Sequence, residues 1–286
     1  VLSIQSSVAY GHVGNSAAVF PLQRLGHEVV PVLTVHFSNH TGYGAWRGPR
    51  FSATTVREVL LGIEELGVLA GVDLVLTGYL GDPEVVEVVL DAVERVRAAN
   101  PRASYACDPV IGDAHTGPYV DPALPPLLRD RVVPRADLVT PNQFELGVLT
   151  GLFDGAARRP SFATLLDAAD AVRRDGPATV LVTSVDVEGQ EPEETGMVVV
   201  GATGRWRVRT PRLDLLPSGS GDVTAALFAT HLLETGDHAE SLARTASSIF
   251  DLLARTAEAG SEELLLVAGQ DAFVQPRHRF EAEPIA

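Results

Sequence analysis

The chain contains no lysine, so all 22 of its basic residues are arginine. That absence excludes two large classes of phosphate-binding protein. A Walker P-loop needs a lysine directly after its glycines. An enzyme that uses pyridoxal phosphate as coenzyme normally holds it as a lysine Schiff base. Cysteine is almost absent as well. Cys107 stands alone, which forbids an internal disulfide and suits a reducing cytoplasm. Positive charge is outweighed, with 37 acidic residues giving a net charge of −15. A polyanionic nucleic acid is repelled on average, and no basic stripe with interleaved aromatics offsets this. No apolar run approaches the ~20 residues that span a bilayer. No charged-then-apolar leader is visible, so the expectation is a cytoplasmic protein with no membrane partner.

What is present is a chain of 286 residues, 45% hydrophobic and 21% charged. Proline and glycine are spread along it and no low-complexity linker divides it, so residues 1–286 read as one domain. Valine-rich or alternating runs predict strands at 1–5, 28–35, 73–77, 104–107, 137–140 and 179–183, with a hairpin at 195–200 and 205–209. Apolar residues at helical spacing predict helices at 16–25, 54–68, 84–99, 142–150, 162–174 and 239–258. A further strand is expected at 263–267, followed by a polar tail. Strands alternating with helices imply a mostly parallel central sheet flanked by helices on both faces. In such sheets ligands bind beyond the carboxyl ends of the strands. Ser6, Asp108, Thr140 with Asn142, and Thr183 with Ser184 all fall at that edge.

The stretch around which these positions gather is Gly219-Ser220-Gly221-Asp222, which opens an apolar helical run. Glycines allow backbone N–H groups to turn inward without hindrance from a Cβ. A helix N-terminus leaves its first N–H groups unpaired and carries partial positive charge, so it stabilises a phosphoryl group. Asp222 in the first turn is placed to accept a proton from an alcohol during phosphoryl transfer. A blander reading is that a glycine turn opens a helix and the acid complements its dipole.

Other constellations carry similar pairs of readings. Asn142-Gln143-Phe144-Glu145 fits a capping box, which alone explains the spacing. Its functional reading has Glu145 ordering water on a magnesium ion between phosphates, with Asn142 on the nucleotide. Magnesium commonly takes only one or two carboxylates, and Asp108 is the second; alternatively Asp108 is a turn-forming residue before proline. Gly11-His12-Val13-Gly14 lacks the full dinucleotide fingerprint, and no acid ends the second strand. His12, His36 and His40 match no standard zinc spacing. Cys107 reads as a buried strand-end residue. Arg205, Arg207 and Arg209 read as a solvated strand face. The segment 36–50 is long and irregular, yet it holds two histidines, aromatics and hydroxyls, which marks it as a functional loop.

These motifs together resemble the pyridoxal kinases of the ribokinase-like superfamily. The matching stretches are IQSSVAYGHVGNSAAVFPLQRLG (4–26), TVHFSNHTGYGAWRG (34–48), TGYLGD (77–82), CDPVIGD (107–113), VVPRADLVTPNQFE (132–145), VLVTS (180–184) and GSGDVTAALF (219–228). They cover most of the chain in the family's order. GSGD alone indicates only the superfamily, whereas FSNHTGY with YGHVGNSAA is particular to pyridoxal kinases. The resemblance implies a homodimer that uses ATP, magnesium and often a monovalent cation, potassium or sodium, to make pyridoxal 5′-phosphate. By position it implies Asp222 as base and Gly219, Ser220 and Gly221 as anion hole. Ser6 and Thr41 hold polar groups of the pyridine ring; Val13, Phe37, His40 and Tyr79 line its pocket. Asp108, Thr140 and Glu145 serve the cations; Tyr119, Asn142, Thr183, Ser184 and Ser220 lie along the nucleotide. Some bacterial members carry lysine where Thr183 stands, and many carry Thr or Val where Ser220 stands. The segment 113–119 is shorter than the lid of some relatives. The rival readings are a kinase for hydroxymethylpyrimidine or a sugar, and a non-catalytic vitamer-binding protein. The aromatic-bearing loop favours a flat ring, and the three carboxylates favour catalysis.

Overall fold

A computed structural model describes residues 1–154, 159–215 and 217–286. Its strands are β1 (Leu2–Val8), β2 (Val30–Phe37), β3 (Leu74–Thr77), β4 (Ser104–Cys107), β5 (Gly112–Asp113), β6 (Gly117–Pro118), β7 (Leu138–Val139), β8 (Thr179–Val185), β9 (Glu194–Gly201), β10 (Gly204–Pro211) and β11 (Glu283–Pro284). Its α-helices are α1 (Asn15–Arg24), α2 (Ala53–Glu65), α3 (Val85–Ala99), α4 (Leu124–Leu127), α5 (Gln143–Thr150), α6 (Phe162–Arg174), α7 (Ser220–Thr235), α8 (His238–Glu258) and α9 (Asp271–Val274). Among the described residues nine strands form one sheet in the order β11-β10-β9-β8-β7-β4-β3-β1-β2. The pairs from β2 through to β8 are parallel, and β8 to β11 are joined antiparallel. β5 and β6 form a separate small hairpin.

Strand side chains alternate between two apolar faces, as period 2 requires of a sheet covered on both sides. Val75, Tyr105, Cys107, Val180 and Val182 enter a core shared with α2, α3, α5 and α6. Leu74, Leu76, Ala106 and Leu181 enter a second core with α1, α7 and α8. The edge at β11 is only two residues long and contains proline, which leaves little edge to template further pairing. Glu283 there pairs with Arg207 and Arg209, while Arg205 pairs with Asp170.

Three expectations change. β1 continues to Val8 with a register shift between Gln5 and Ser7, so Ser6 lies within the strand rather than after it. Residues 263–267 form no strand. Leu264 and Leu266 are both buried in the second core, so their alternation mimics a strand although the backbone there turns. The last strand comes instead from the polar tail, as β11.

Candidate active site

The parallel strands end at one rim, and α7 begins beside it. Gly219 caps α7 with φ 89°, a left-handed conformation. A Cβ on Gly219 would sit 1.8 Å from the His12 carbonyl oxygen, so both its φ and its close approach require glycine. Gly221 differs, because a Cβ there would meet nothing within 4 Å. It faces open space where the first N–H groups of α7 are unpaired, the place an anion would occupy. Asp222 follows and its carboxylate accepts hydrogen bonds from the N–H groups of Gly14 and of Asp222 itself. Although the residue is only partly buried overall, desolvation of the carboxyl outweighs these bonds and pushes its pKa up to about 6.

Two further carboxylates lie near it. Asp108, at the end of β4, is 8% exposed, and its Oδ1 accepts a hydrogen bond of 3.1 Å from Thr140 Oγ1 after β7. Burial, then the charges of Glu145 and Asp222, hold the Asp108 carboxyl well above its ordinary range. Glu145 is 3% exposed. Its Oε1 accepts from the N–H groups of Ile111 (2.9 Å) and Gly112 (3.4 Å), and its Oε2 from that of Asn142 (2.9 Å). The Asn142 side chain accepts from the Glu145 N–H at 2.9 Å, completing a capping box. Capping and proximity to Asp108 are therefore both realised by one residue. Burial, against these backbone bonds, pushes the Glu145 pKa up to about 7.

The described residues offer these three carboxylates no ion-pair partner. Buried carboxylates without a cation are costly, so the cluster fits a divalent cation that keeps most of its water. No group of three or more His, Cys, Asp or Glu side chains among the described residues is arranged to enclose a metal by itself. A short set of carboxylates suits magnesium, which demands few protein ligands.

The remaining expected residues fall into two groups. Asn142 bridges to Thr183, whose N–H donates to Pro141 O at 3.0 Å, so the β7 and β8 ends are tied together. Next to it Ser184 has φ 54°, the single positive φ among described non-glycine residues. Tyr119 follows the β5–β6 hairpin, its N–H donating to Ile111 O. Burial of its hydroxyl raises its pKa although 48% of the residue is open to solvent; the carboxylates of Glu145, Asp222 and Asp108 act in the same direction. On the other side, Val13 and Tyr79 pack against Val8, Val35 and Phe37 to form a small apolar cluster. Ser6 abuts Gly14, where a Cβ would sit 2.3 Å from Ser6 Oγ. His40 is partly buried and Thr41 exposed, both on the 36–50 loop. A Cβ on Gly42 would lie 3.9 Å from Ser218 Oγ, so this loop reaches the turn before α7. Sequence reasoning missed Gly14 as a donor to Asp222 and missed Glu263 altogether. Glu263 accepts hydrogen bonds from His12 N (3.1 Å), His40 Nε2 (3.1 Å) and Tyr43 Oη (2.7 Å). Nothing local to Ser261-Glu262-Glu263 signals this, because its partners are more than 200 residues away in sequence.

Fold and site together define a ribokinase-like kinase acting on a small-molecule alcohol. A family model described as phosphomethylpyrimidine kinase matches residues 56–265. The chain is 56% identical over 280 residues to the pyridoxal kinase PdxY of Leifsonia xyli subsp. xyli, covering 98% of this chain and 97% of that one. It is 52% identical to the pyridoxal kinase PdxY of Corynebacterium diphtheriae, covering 100% and 99%. The structure of the pyridoxal kinase from Leishmania donovani in complex with ADP and pyridoxine superposes with a TM-score of 0.91 at 28% identity, over 100% of this chain and 98% of that one. The chain belongs to the pyridoxal kinase family.

Proposed function

We propose that the chain transfers the γ-phosphoryl group of ATP to the 5′-hydroxymethyl oxygen of pyridoxal, giving pyridoxal 5′-phosphate and ADP in vitamin B6 salvage. The observation that carries this is the meeting of Asp108, Glu145 and Asp222 beside the open N-terminus of α7. The apolar cluster of Val13, Phe37 and Tyr79 supplies a wall for a flat ring. The P–O bond to the ADP leaving group breaks, a bond to the 5′ oxygen forms, and the hydroxyl proton passes to Asp222. The N–H groups of Gly219, Ser220 and Gly221 hold the charge on the phosphoryl oxygens. A loose transition state needs that charge stabilisation more than a strong base, so a carboxylate suffices. Ser6 and Thr41 take polar groups of the ring, His40 lines the pocket, and Asn142, Thr183, Ser184, Ser220 and Tyr119 lie along the nucleotide. Asp108 and Glu145 would hold magnesium, which when bound supplies positive charge at the phosphates in a chain without lysine. Thr140, bonded to Asp108, would serve the cations with these carboxylates, a potassium or sodium ion included.

The family resemblance also supports a single domain over residues 1–286, a homodimer and a cytoplasmic location. None of the described helices is long and apolar enough to cross a membrane. The test is magnesium-dependent ADP release by the purified protein with pyridoxal, pyridoxine, pyridoxamine, hydroxymethylpyrimidine, a sugar, or no acceptor. Hydroxymethylpyrimidine belongs in the panel because the matching family model is named for that ring. Turnover greatest on a B6 vitamer is the expected result. Turnover greatest on hydroxymethylpyrimidine or the sugar reassigns the acceptor, and binding without turnover leaves only a vitamer-binding protein.

A further inference from the structure

The 36–50 loop is closed at its base by backbone hydrogen bonds, His36 N–H to Pro49 O at 3.0 Å and Ser38 N–H to Arg47 O at 2.6 Å. Beyond that base the loop is exposed from Thr41 to Arg50. Among the described residues, every hydrogen bond from residues 40–46 to a residue outside the loop ends on Glu263. The same carboxylate accepts the His12 N–H from the turn after β1. That turn is itself part of the site. The His12 carbonyl presses on Gly219, and two residues later the Gly14 N–H reaches Asp222.

Glu263 is 14% exposed at its side chain and His40 16%, so the bond between them is shielded from competing water, whereas the Tyr43 bond is exposed. A carboxylate accepts only, so the His40 nitrogen facing it, Nε2, carries the proton. In the neutral ring Nδ1 is then the acceptor. It is buried and has no partner among the described residues. Close approach is built in as well. Gly11, at φ 86°, leaves room where a Cβ would meet Glu263 Oε2 at 2.6 Å.

We propose that Glu263 is a positioning residue for the acceptor substrate. Its single carboxylate latches the tip of the 36–50 loop through His40 and Tyr43. It also anchors the Gly11–His12 turn and fixes the orientation of the His40 ring. The substrate side of this claim rests on the pyridoxal reading; the latch itself does not.

The test compares wild type with Glu263→Ala, Glu263→Gln and Tyr43→Phe. With no lysine in the chain, trypsin cuts only after arginine, and Arg47 lies exposed in the loop. Glu263→Ala is expected to speed cleavage after Arg47 selectively over arginines outside the loop. It should also raise the KM for pyridoxal about tenfold or more, as loss of hydrogen bonds to a charged group implies, with kcat and the KM for ATP nearly unchanged. Glu263→Gln keeps one acceptor oxygen and should fall between wild type and alanine. Tyr43→Phe removes one bond from an exposed ring, should shift both readouts in the same direction by less, and stands in if the alanine variant does not fold. Cleavage after Arg47 at the wild-type rate overturns the latch, as does acceleration shared equally by arginines outside the loop. An unchanged pyridoxal KM overturns the positioning role. A wild-type protein that turns over another acceptor sinks the pyridoxal reading instead, and the proteolysis arm, which uses no substrate, still decides the latch.

Discussion

At the scale of single residues, the site depends on Asp222 being ionised in a setting that resists ionisation. Its pKa is pushed up to about 6 by burial, with the Gly14 N–H working against the shift. A base must be deprotonated to act, so kcat/KM for pyridoxal is expected to fall as pH drops through about 6. Asp222→Asn keeps the shape of the turn but removes the proton acceptor. We expect it to lower kcat by about a hundredfold or more, with the pyridoxal KM little changed. Steady-state kinetics on the folded variant checks this, and near-normal turnover removes Asp222 from the role of base. The two glycines that precede it are not equivalent. Gly219 is fixed by its left-handed φ and by the His12 carbonyl, whereas Gly221 leaves open space.

At the scale of elements, α5 carries two functions in its first turn. The capping box satisfies N–H groups that a helix start leaves free, and the same Glu145 stands within electrostatic reach of Asp108 and Asp222. Substitutions separate the two roles. Asn142→Ala should cost about 1 kcal/mol of stability, the usual value of an N-cap. Glu145→Gln still offers an oxygen to the backbone but loses its charge. It is expected to weaken the magnesium dependence of turnover more than pyridoxal binding, measured as magnesium titrations at saturating substrates. If Glu145→Gln lowers only the melting temperature and leaves the magnesium titration unchanged, capping is the whole of its role.

At the scale of the molecule, folding buries acids away from water. The folded pKa of Asp222 rises from 3.8 to about 6 and that of Glu145 from 4.5 to about 7. A group whose pKa is raised by folding binds its proton more tightly in the folded state. Its contribution is fully present below the unfolded pKa and is lost as pH rises through the folded one. The metal-free protein should therefore lose part of its stability between about pH 4 and pH 7 on account of these two groups. Magnesium, which prefers the charged carboxylates, should raise the melting temperature more at the upper end of that range. Thermal melts of wild type and Glu145→Gln with and without magnesium test this. The variant is expected to show a shallower pH slope, and parallel slopes would rule out Glu145 as a contributor.

Much of this was legible in the chain itself. Buried strands such as Leu74–Thr77 and Thr179–Val185 are short apolar runs, and a helix such as Phe162–Arg174 shows its stripe in local spacing. The turn before α7 is readable because glycines and an acid act within a few residues of one another. Residues 263–267 misled because burial of alternate leucines arises in a turn as well as in a strand. The sequence by itself determined the parallel α/β class, the absence of any lysine for phosphate or aldehyde, and most residues of the rim, since these follow from local periodicity and residue chemistry. Only the tertiary structure decided that Gly14 serves Asp222, that Gly219 rather than Gly221 is sterically required, and that Glu263 joins His12, His40 and Tyr43. Those are contacts between segments far apart in the chain, and no local pattern encodes which distant groups a folded backbone brings within hydrogen-bonding distance.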